Sequence, residues 1–269
     1  MINVIISKSM IALEIEQRKL ALENQANLDT NNPIENEEES AIIISDEEVE
    51  KQLLELENSI EADEEIGEID EFDQTIDKKD YSNANYWDER YINEDDLFDW
   101  YFDWNKISEK IMNYIQDDEI CLNLGCGNAK MAVDMEMNPF KYVINIDISH
   151  IVIEKMSKRY DIHPNLLFYT MDCSDLKFEN DMFDCIIDKG TFDALMCGDS
   201  AKDIIYRSMK EIYRALKPGG KFIEISFGKP EKRIPFLKGC DLDWNCEEPV
   251  IFESRRNTFH YGYIFIKKE

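Results

Sequence analysis

From residue 119 onward the chain alternates between short apolar runs and longer amphipathic stretches. The runs at 120–124, 142–147, 166–171, 183–188 and 221–227 are five to seven residues long and rich in Ile, Val, Leu and aromatic side chains. That length and composition predict strands buried on both faces. Between them, 129–137, 149–160 and 201–216 carry apolar residues at helical spacing. Lys217-Pro-Gly-Gly220 stops the last of these, because proline lacks an N–H and glycine weakens a helix. Strands joined by helical crossovers predict an α/β fold: a mostly parallel, Rossmann-like sheet with helices on both faces. The ending breaks the rule. Runs at 250–252 and 261–267 have no helical stretch between them, which predicts an antiparallel pair at one sheet edge.

Upstream the pattern changes twice. Residues 81–119 are aromatic-rich, with Tyr86-Trp87-Asp-Glu-Arg90-Tyr91 followed by Phe98-Asp-Trp100-Tyr-Phe-Asp-Trp104. Trp87 and Tyr91 lie four apart, so a short helix places both on one face; Ile107, Ile111 and Ile115 continue a helical stripe. The block is either an edge of the core or a lid over a site. Residues 1–80 hold 24 of the 58 acidic residues but only 6 of the 30 basic ones. Such a composition buries too little apolar surface to fold, and an acidic, largely disordered extension is expected. One island inside it, Ser45-Asp-Glu-Glu48, forms a capping box, and Val49, Leu53, Leu56 and Ile60 then recur on one face. A fluctuating helix or a partner-docking helix both fit. The domain boundary is therefore expected at residue 81, with the folded domain over 81–269.

Charge and cysteine content narrow the function classes. A net charge of -28 over 269 residues disfavours nucleic acid, which demands clustered Lys and Arg, and suits a basic protein partner. Seven cysteines without a C-x-x-C pair show no zinc spacing. Several fall inside apolar runs, as reduced cysteines do, so a reducing, cytoplasmic compartment is expected. Glu14 and Glu16 argue against a signal or transit peptide, and no apolar run reaches membrane-spanning length.

The candidate chemistry sits where the strands end. Ligands of open α/β sheets bind beyond the carboxyl ends of the strands. The first strand runs into Gly125-Cys-Gly127, whose glycines let backbone approach a ligand closely. The second ends in Asp147, 22 residues after Gly125, placed to accept hydrogen bonds from both hydroxyls of a ribose. The third ends in Asp172-Cys173, where the carboxylate suits an exocyclic adenine amine. The fourth ends in Asp188-Lys189-Gly-Thr191. Any one of these aspartates also serves as a helix cap or turn residue; four successive strand ends carrying ligand-type residues need a further reason. A dinucleotide-binding domain shares the ribose carboxylate but requires a third glycine where Lys130 stands. The missing glycine, the antiparallel C-terminal pair and the Lys-Pro-Gly-Gly turn sit better with S-adenosylmethionine enzymes.

With those residues set out, 81–269 resembles the methyltransferase-like proteins that include the elongation factor 1-alpha lysine methyltransferases. The matching pieces are Tyr86-Trp87-Asp-Glu-Arg-Tyr91, Phe98-Asp-Trp100, Leu124-Gly-Cys-Gly-Asn128, Asp147-Ile148-Ser149, Met171-Asp172-Cys173, Asp188-Lys-Gly-Thr-Phe-Asp-Ala-Leu195 and Phe259-His-Tyr-Gly-Tyr263. The resemblance implies a seven-stranded class I methyltransferase sheet with S-adenosyl-L-methionine as cofactor. It also implies that Trp87, Tyr91 and Trp100 close over that cofactor beside Gly125, Gly127, Asp147, Ile148, Asp172, Cys173 and Lys189. Aromatic faces attract a sulfonium cation. Two departures stand out: Asn123 replaces an acidic residue, and Ala129 replaces the last glycine of the usual turn. Residues 1–80 lie outside the resemblance. Three functions stay open: a protein-lysine methyltransferase acting on a partner such as elongation factor 1-alpha, an enzyme methylating a small molecule or another amine, and a scaffold that binds cofactor without turnover. Asp188 and Asp193 lie near the expected acceptor, and the sequence selects neither as a base.

Overall fold

Eight strands, β1 (Ile120–Leu124), β2 (Tyr142–Asp147), β3 (Leu166–Thr170), β4 (Phe183–Lys189), β5 (Leu216–Ser226), β6 (Trp244–Cys246), β7 (Val250–Glu253) and β8 (Phe259–Lys267), build one sheet in this computed structural model. It describes residues 5–30, 81, 83–137, 139–198, 200–253 and 258–269. The order is β3-β2-β1-β4-β5-β8-β6, with β7 also paired to β8. β1 to β5 are mutually parallel and β8 runs antiparallel to β5. The expected class I architecture is present, with one strand more than the seven anticipated. β8 does not form an edge. It is inserted beside β5, and its two ends pair separately with β7, at Phe259 to Gly262, and with β6, at Phe265 to Lys267.

Among the described residues the α-helices are α1 (Lys8–Thr30), α2 (Ala84–Asn93), α3 (Trp104–Ile111), α4 (Met131–Glu136), α5 (His150–Arg159), α6 (Thr191–Leu195), α7 (Ala201–Ala215) and α8 (Pro230–Lys238). Strand alternation decides which helix meets which face. Cys121, Val143, Ile187, Ile223 and Ile225 point to a core completed by Tyr91, Trp104, Ile107, Ile111, Met131 and Met156, which belong to α2 to α5. Leu122, Leu124, Ile144, Ile186 and Phe222 point the other way, to Phe192, Ile205, Met209, Ile212 and Leu237 of α6 to α8. Local capping agrees with these starts. The side chains of Asn83, Asp103 and Ser149 each accept a hydrogen bond from an N–H in the first turn of the following helix.

Two expectations change. The Lys217-Pro-Gly-Gly segment is not only a helix stop. Opposite β4 the pairing jumps from Phe183 with Leu216 to Cys185 with Lys221, so the segment bulges out within β5, with Gly219 at φ +75. The folded part of the chain also starts earlier than residue 81. Helix α1 puts Ile11 and Ile15, 2% and 1% exposed, into the second core. Ile6 forms a parallel bridge with Phe178, Glu14 accepts a hydrogen bond from Tyr169 at 2.7 Å, and Arg18 donates to the Leu166 carbonyl. Composition misled here because a helix docks through two residues per two turns, and the remaining positions are free to be polar. The helix expected after Ser45 lies outside the described residues.

Candidate active site

The strand order reverses between β1 and β4, and the crevice above that point is where the chemistry-bearing residues converge. Gly125 and Gly127 have φ of +58 and +52, and Gly190 at the end of β4 has +82. These values favour glycine over any residue with a Cβ. A Cβ on Gly125 would stand 2.1 Å from Thr191 Oγ1, and one on Gly127 would stand 2.9 Å from the Tyr91 hydroxyl. The two loops therefore touch across the switch point, and Thr191 closes the gap by donating to the Leu124 carbonyl at 3.0 Å.

Asp147 is buried at the end of β2. One carboxylate oxygen accepts from Gly127 N at 3.0 Å and the other from Ser149 N at 2.9 Å. It thus clamps the glycine loop to its own strand end. Burial pushes its pKa up to about 6, against the pull of those N–H donors. Ile148 is partly exposed beside it.

The aromatic segment lies across these strand ends. Asp88 accepts from the Ser149 hydroxyl at 2.6 Å. Asn128, after the glycine turn, donates to the Asp96 carbonyl at 2.6 Å and accepts from Phe98 N at 3.3 Å. Lys189 donates to Asp99 Oδ1 at 3.0 Å and to the Trp100 carbonyl at 2.8 Å. Residues 88–101 are thereby tied to the loops after β1, β2 and β4. Trp87 stacks on Tyr91 with centroids 5.8 Å apart. The cation over the faces of Trp87 and Trp100 is the protein's own Arg90, at 5.7 and 5.2 Å. Lys189 is 8% exposed, and burial pulls its ammonium down while Asp99 holds it up.

Two other expected residues diverge. Asp172 is exposed and accepts from Ser174 N at 2.7 Å, shaping a turn beyond β3. The Cys173 thiol faces away into the second core, 3.3 Å from Ser208 Oγ, and burial pushes it up to about 12.

At the end of β4 and just after it, the two aspartates left open as bases are both engaged. Asp188 is fully buried and accepts from Thr191 N at 2.8 Å and Phe192 N at 3.1 Å, capping α6. Burial, with Asp193 nearby, pushes it up to about 7. Asp193 accepts from the Tyr101 hydroxyl at 2.9 Å, Ser226 Oγ at 2.7 Å, Phe227 N at 3.3 Å and the guanidinium of Arg233. Arg233, 3% exposed, also lies 3.4 Å from buried Glu224. Little in the sequence signals this hub. Arg233 sits within a run of basic residues that reads as a solvated surface, and only folding shows it turned inward.

The geometry has counterparts among known proteins. Residues 122–223 match a family model described as a methyltransferase domain, and that stretch spans β1 to β5 with the glycine turn and Asp147. Residues 122–223 carry a class I S-adenosylmethionine-dependent methyltransferase domain. This methyltransferase is similar to the mouse EEF1A lysine methyltransferase 4, 29% identical over 198 residues, covering 70% of this chain and 76% of that one. It also matches the Drosophila melanogaster eEF1A lysine and N-terminal methyltransferase homolog, 32% identical over 153 residues. There it covers 55% of this chain and spans only 23% of the fly protein. The N-methyltransferase NodS from Bradyrhizobium japonicum, crystallised with S-adenosyl-l-homocysteine, shares the fold, with a TM-score of 0.56 and 14% identity over 70% of this chain and 100% of NodS. The methyltransferase's own residues suit a nucleoside. Asp147 at the end of β2 is a carboxylate placed beside the glycine turn, which it holds through Gly127 N. Among the described residues no group of three or more His, Cys, Asp or Glu is arranged to hold a metal ion, and no helix is long and apolar enough to cross a membrane.

Proposed function

We propose that the protein is a cytoplasmic protein-lysine methyltransferase acting on elongation factor 1-alpha. The observation that carries this reading is the similarity to the mouse enzyme over most of both chains. The charge is consistent with it, since a net -28 attracts a basic partner and quickens encounter. On this reading Asp147 receives the ribose hydroxyls, while Gly125 and Gly127 admit the nucleoside against their backbone. Ile148 and Asp172, with the backbone at Cys173, border the adenine. Trp87, Tyr91 and Trp100 belong to the lid, and Lys189 acts from beneath by fastening it.

The cofactor supplies an electrophilic methyl carbon. The protein contributes position and exclusion of water, which suffice for an in-line transfer when the acceptor nitrogen is held close and aligned. A lysine ammonium, which ordinarily titrates near about 10.4, must first lose a proton. Asp188 and Asp193 are spoken for by the donors named above, so that proton leaves through solvent as the ammonium is desolvated.

The test is mass spectrometry of purified elongation factor 1-alpha after incubation with the protein and S-adenosylmethionine. Methylation at one lysine, lost in Asp147→Ala, is the expected result. Transfer to free amines or other proteins, with none to this factor, would move the assignment to another acceptor class.

A further inference from the structure

Tyr101 is an unusual residue to find beside the switch point. Its backbone is left-handed, with φ +65, a conformation that costs an aromatic residue and tends to survive where it serves a site. The strain places its ring directly over Gly190, where a Cβ would come within 3.2 Å of Tyr101 Cε2. Its hydroxyl donates its single hydrogen to Asp193 at 2.9 Å. Asp193 is held from the other sides by Ser226, Phe227 and Arg233, so it cannot turn away and release that bond.

A phenol has one hydrogen and two lone pairs. With the hydrogen fixed on Asp193, the Tyr101 oxygen is left able only to accept. Its surroundings are aromatic: His260 lies 4.6 Å from the ring and Phe227 and Trp100 each 6.4 Å, centroid to centroid. Trp100 and Phe227 are 38% and 58% exposed, an apolar rim that invites an aliphatic stem. Asp147 stands on the β1–β2 side of the crevice and Tyr101 on the β4–β5 side. The nucleoside and this oxygen therefore occupy different halves of the site.

We propose that the Tyr101 oxygen accepts a hydrogen bond from the acceptor nitrogen, orienting it and selecting an amine on an aliphatic stem over an acid of the same shape. This rests on the methyl acceptor being an amine, and it assigns a positioning and specificity role to a residue of the aromatic segment that is not among the expected cofactor contacts. Asp193 and Arg233 act through Tyr101. The aromatic rim adds cation–π attraction for an ammonium, which a carboxylate would not gain.

The experiment uses the full chain saturated with S-adenosyl-L-homocysteine and titrated with n-butylamine hydrochloride or sodium butyrate, read by tryptophan fluorescence. The amine should bind at least tenfold tighter than butyrate. Tyr101→Phe should weaken the amine at least fivefold while the affinity for S-adenosyl-L-homocysteine stays within twofold. Steady-state methyl transfer by the same variant should lose kcat more than it raises KM, which a general loosening of the fold would not produce. Equal binding of amine and butyrate to the wild type overturns the proposal, whether or not the variant folds. So does wild-type amine affinity in Tyr101→Phe. A parallel loss of S-adenosyl-L-homocysteine affinity would place the bond on the cofactor's own amine and overturn it as well. If amine selectivity appears but no protein lysine is methylated, the elongation factor reading fails and the role of Tyr101 stands.

Discussion

Helix α1 makes a quantitative prediction, because it reaches the core through so few side chains. Ile11 and Ile15 lie one turn apart on the same face and are all but inaccessible. Truncating a buried Ile to Ala costs about 2–5 kcal/mol, the lower figure where the site can collapse around the gap. A helix on the flank of the sheet can settle inward, so about 2 kcal/mol for each residue and about 4 for both is the appropriate figure. That is a large share of a typical domain stability of about 5–15 kcal/mol. At about 2–4 °C per kcal/mol for a domain of this size, the double variant should melt roughly 8–16 °C lower.

The control comes from the same helix. Leu13 and Leu20 are 56% and 58% exposed, and their replacement by Ala should stay within about 0.5 kcal/mol. Urea denaturation followed by tryptophan fluorescence compares the two pairs directly. If Ile11→Ala with Ile15→Ala unfolds at the same urea concentration as Leu13→Ala with Leu20→Ala, α1 is not docked as described. Its bonds from Arg18 to β3 and from Tyr169 to Glu14 would then be incidental.

Two further outcomes follow from the crevice. Gly125→Ala should destabilise the protein by about 2–3 kcal/mol, from the left-handed backbone and the displaced Thr191 hydroxyl together, and weaken S-adenosyl-L-homocysteine binding; an unchanged melting temperature and affinity would refute the close loop contact. Asp147, raised to about 6, must be ionised to receive two hydroxyl donors, so cofactor affinity should fall as pH drops below about 6, approaching tenfold per unit. Asp147→Asn should flatten that profile, and calorimetric titration between about pH 5 and 8 measures both. In the free protein the sign is opposite: a carboxylate raised above its unfolded value contributes stability below about pH 4 and loses it as pH rises through about 6.

The sheet was legible because its signal is local. Each strand of the parallel half is a short apolar run bounded by a turn, and five of them bring the glycine turn, Asp147, Asp172 and Asp188 to one end of the sheet without reference to anything distant. Asp147 could be found by that rule alone, and it lies where the rule puts it. What the sequence concealed depends on contacts between residues far apart. Arg233 looks like its basic neighbours until α8 folds over β5 and turns it onto Asp193, 40 positions earlier. Cys173 follows Asp172 in the chain, yet its side chain belongs to the opposite core. Lys189 reads as a residue facing the cofactor, and in the fold its ammonium reaches Asp99 and the Trp100 carbonyl.

The same contrast separates the two halves of the crevice. The cofactor side is made of residues adjacent in sequence to strand ends, with Asp147 holding Gly127 and Ser149 by backbone N–H groups; it needs only the sheet. The acceptor side is assembled from the loop before α3, the end of β4, the end of β5, α8 and the start of β8, and its Tyr101 hydroxyl is held by Asp193, which Ser226 and Arg233 hold in turn. An assembly of that kind tolerates change at its rim while its base stays fixed. Phe227 and Trp100 can be altered with little effect on folding, whereas Arg233 cannot, since removing it leaves buried Asp193 and Glu224 without their shared cation, a loss of about 3–5 kcal/mol. Substrate preference is therefore free to shift at the exposed aromatics, while the polarity presented to the acceptor nitrogen is held by the fold itself.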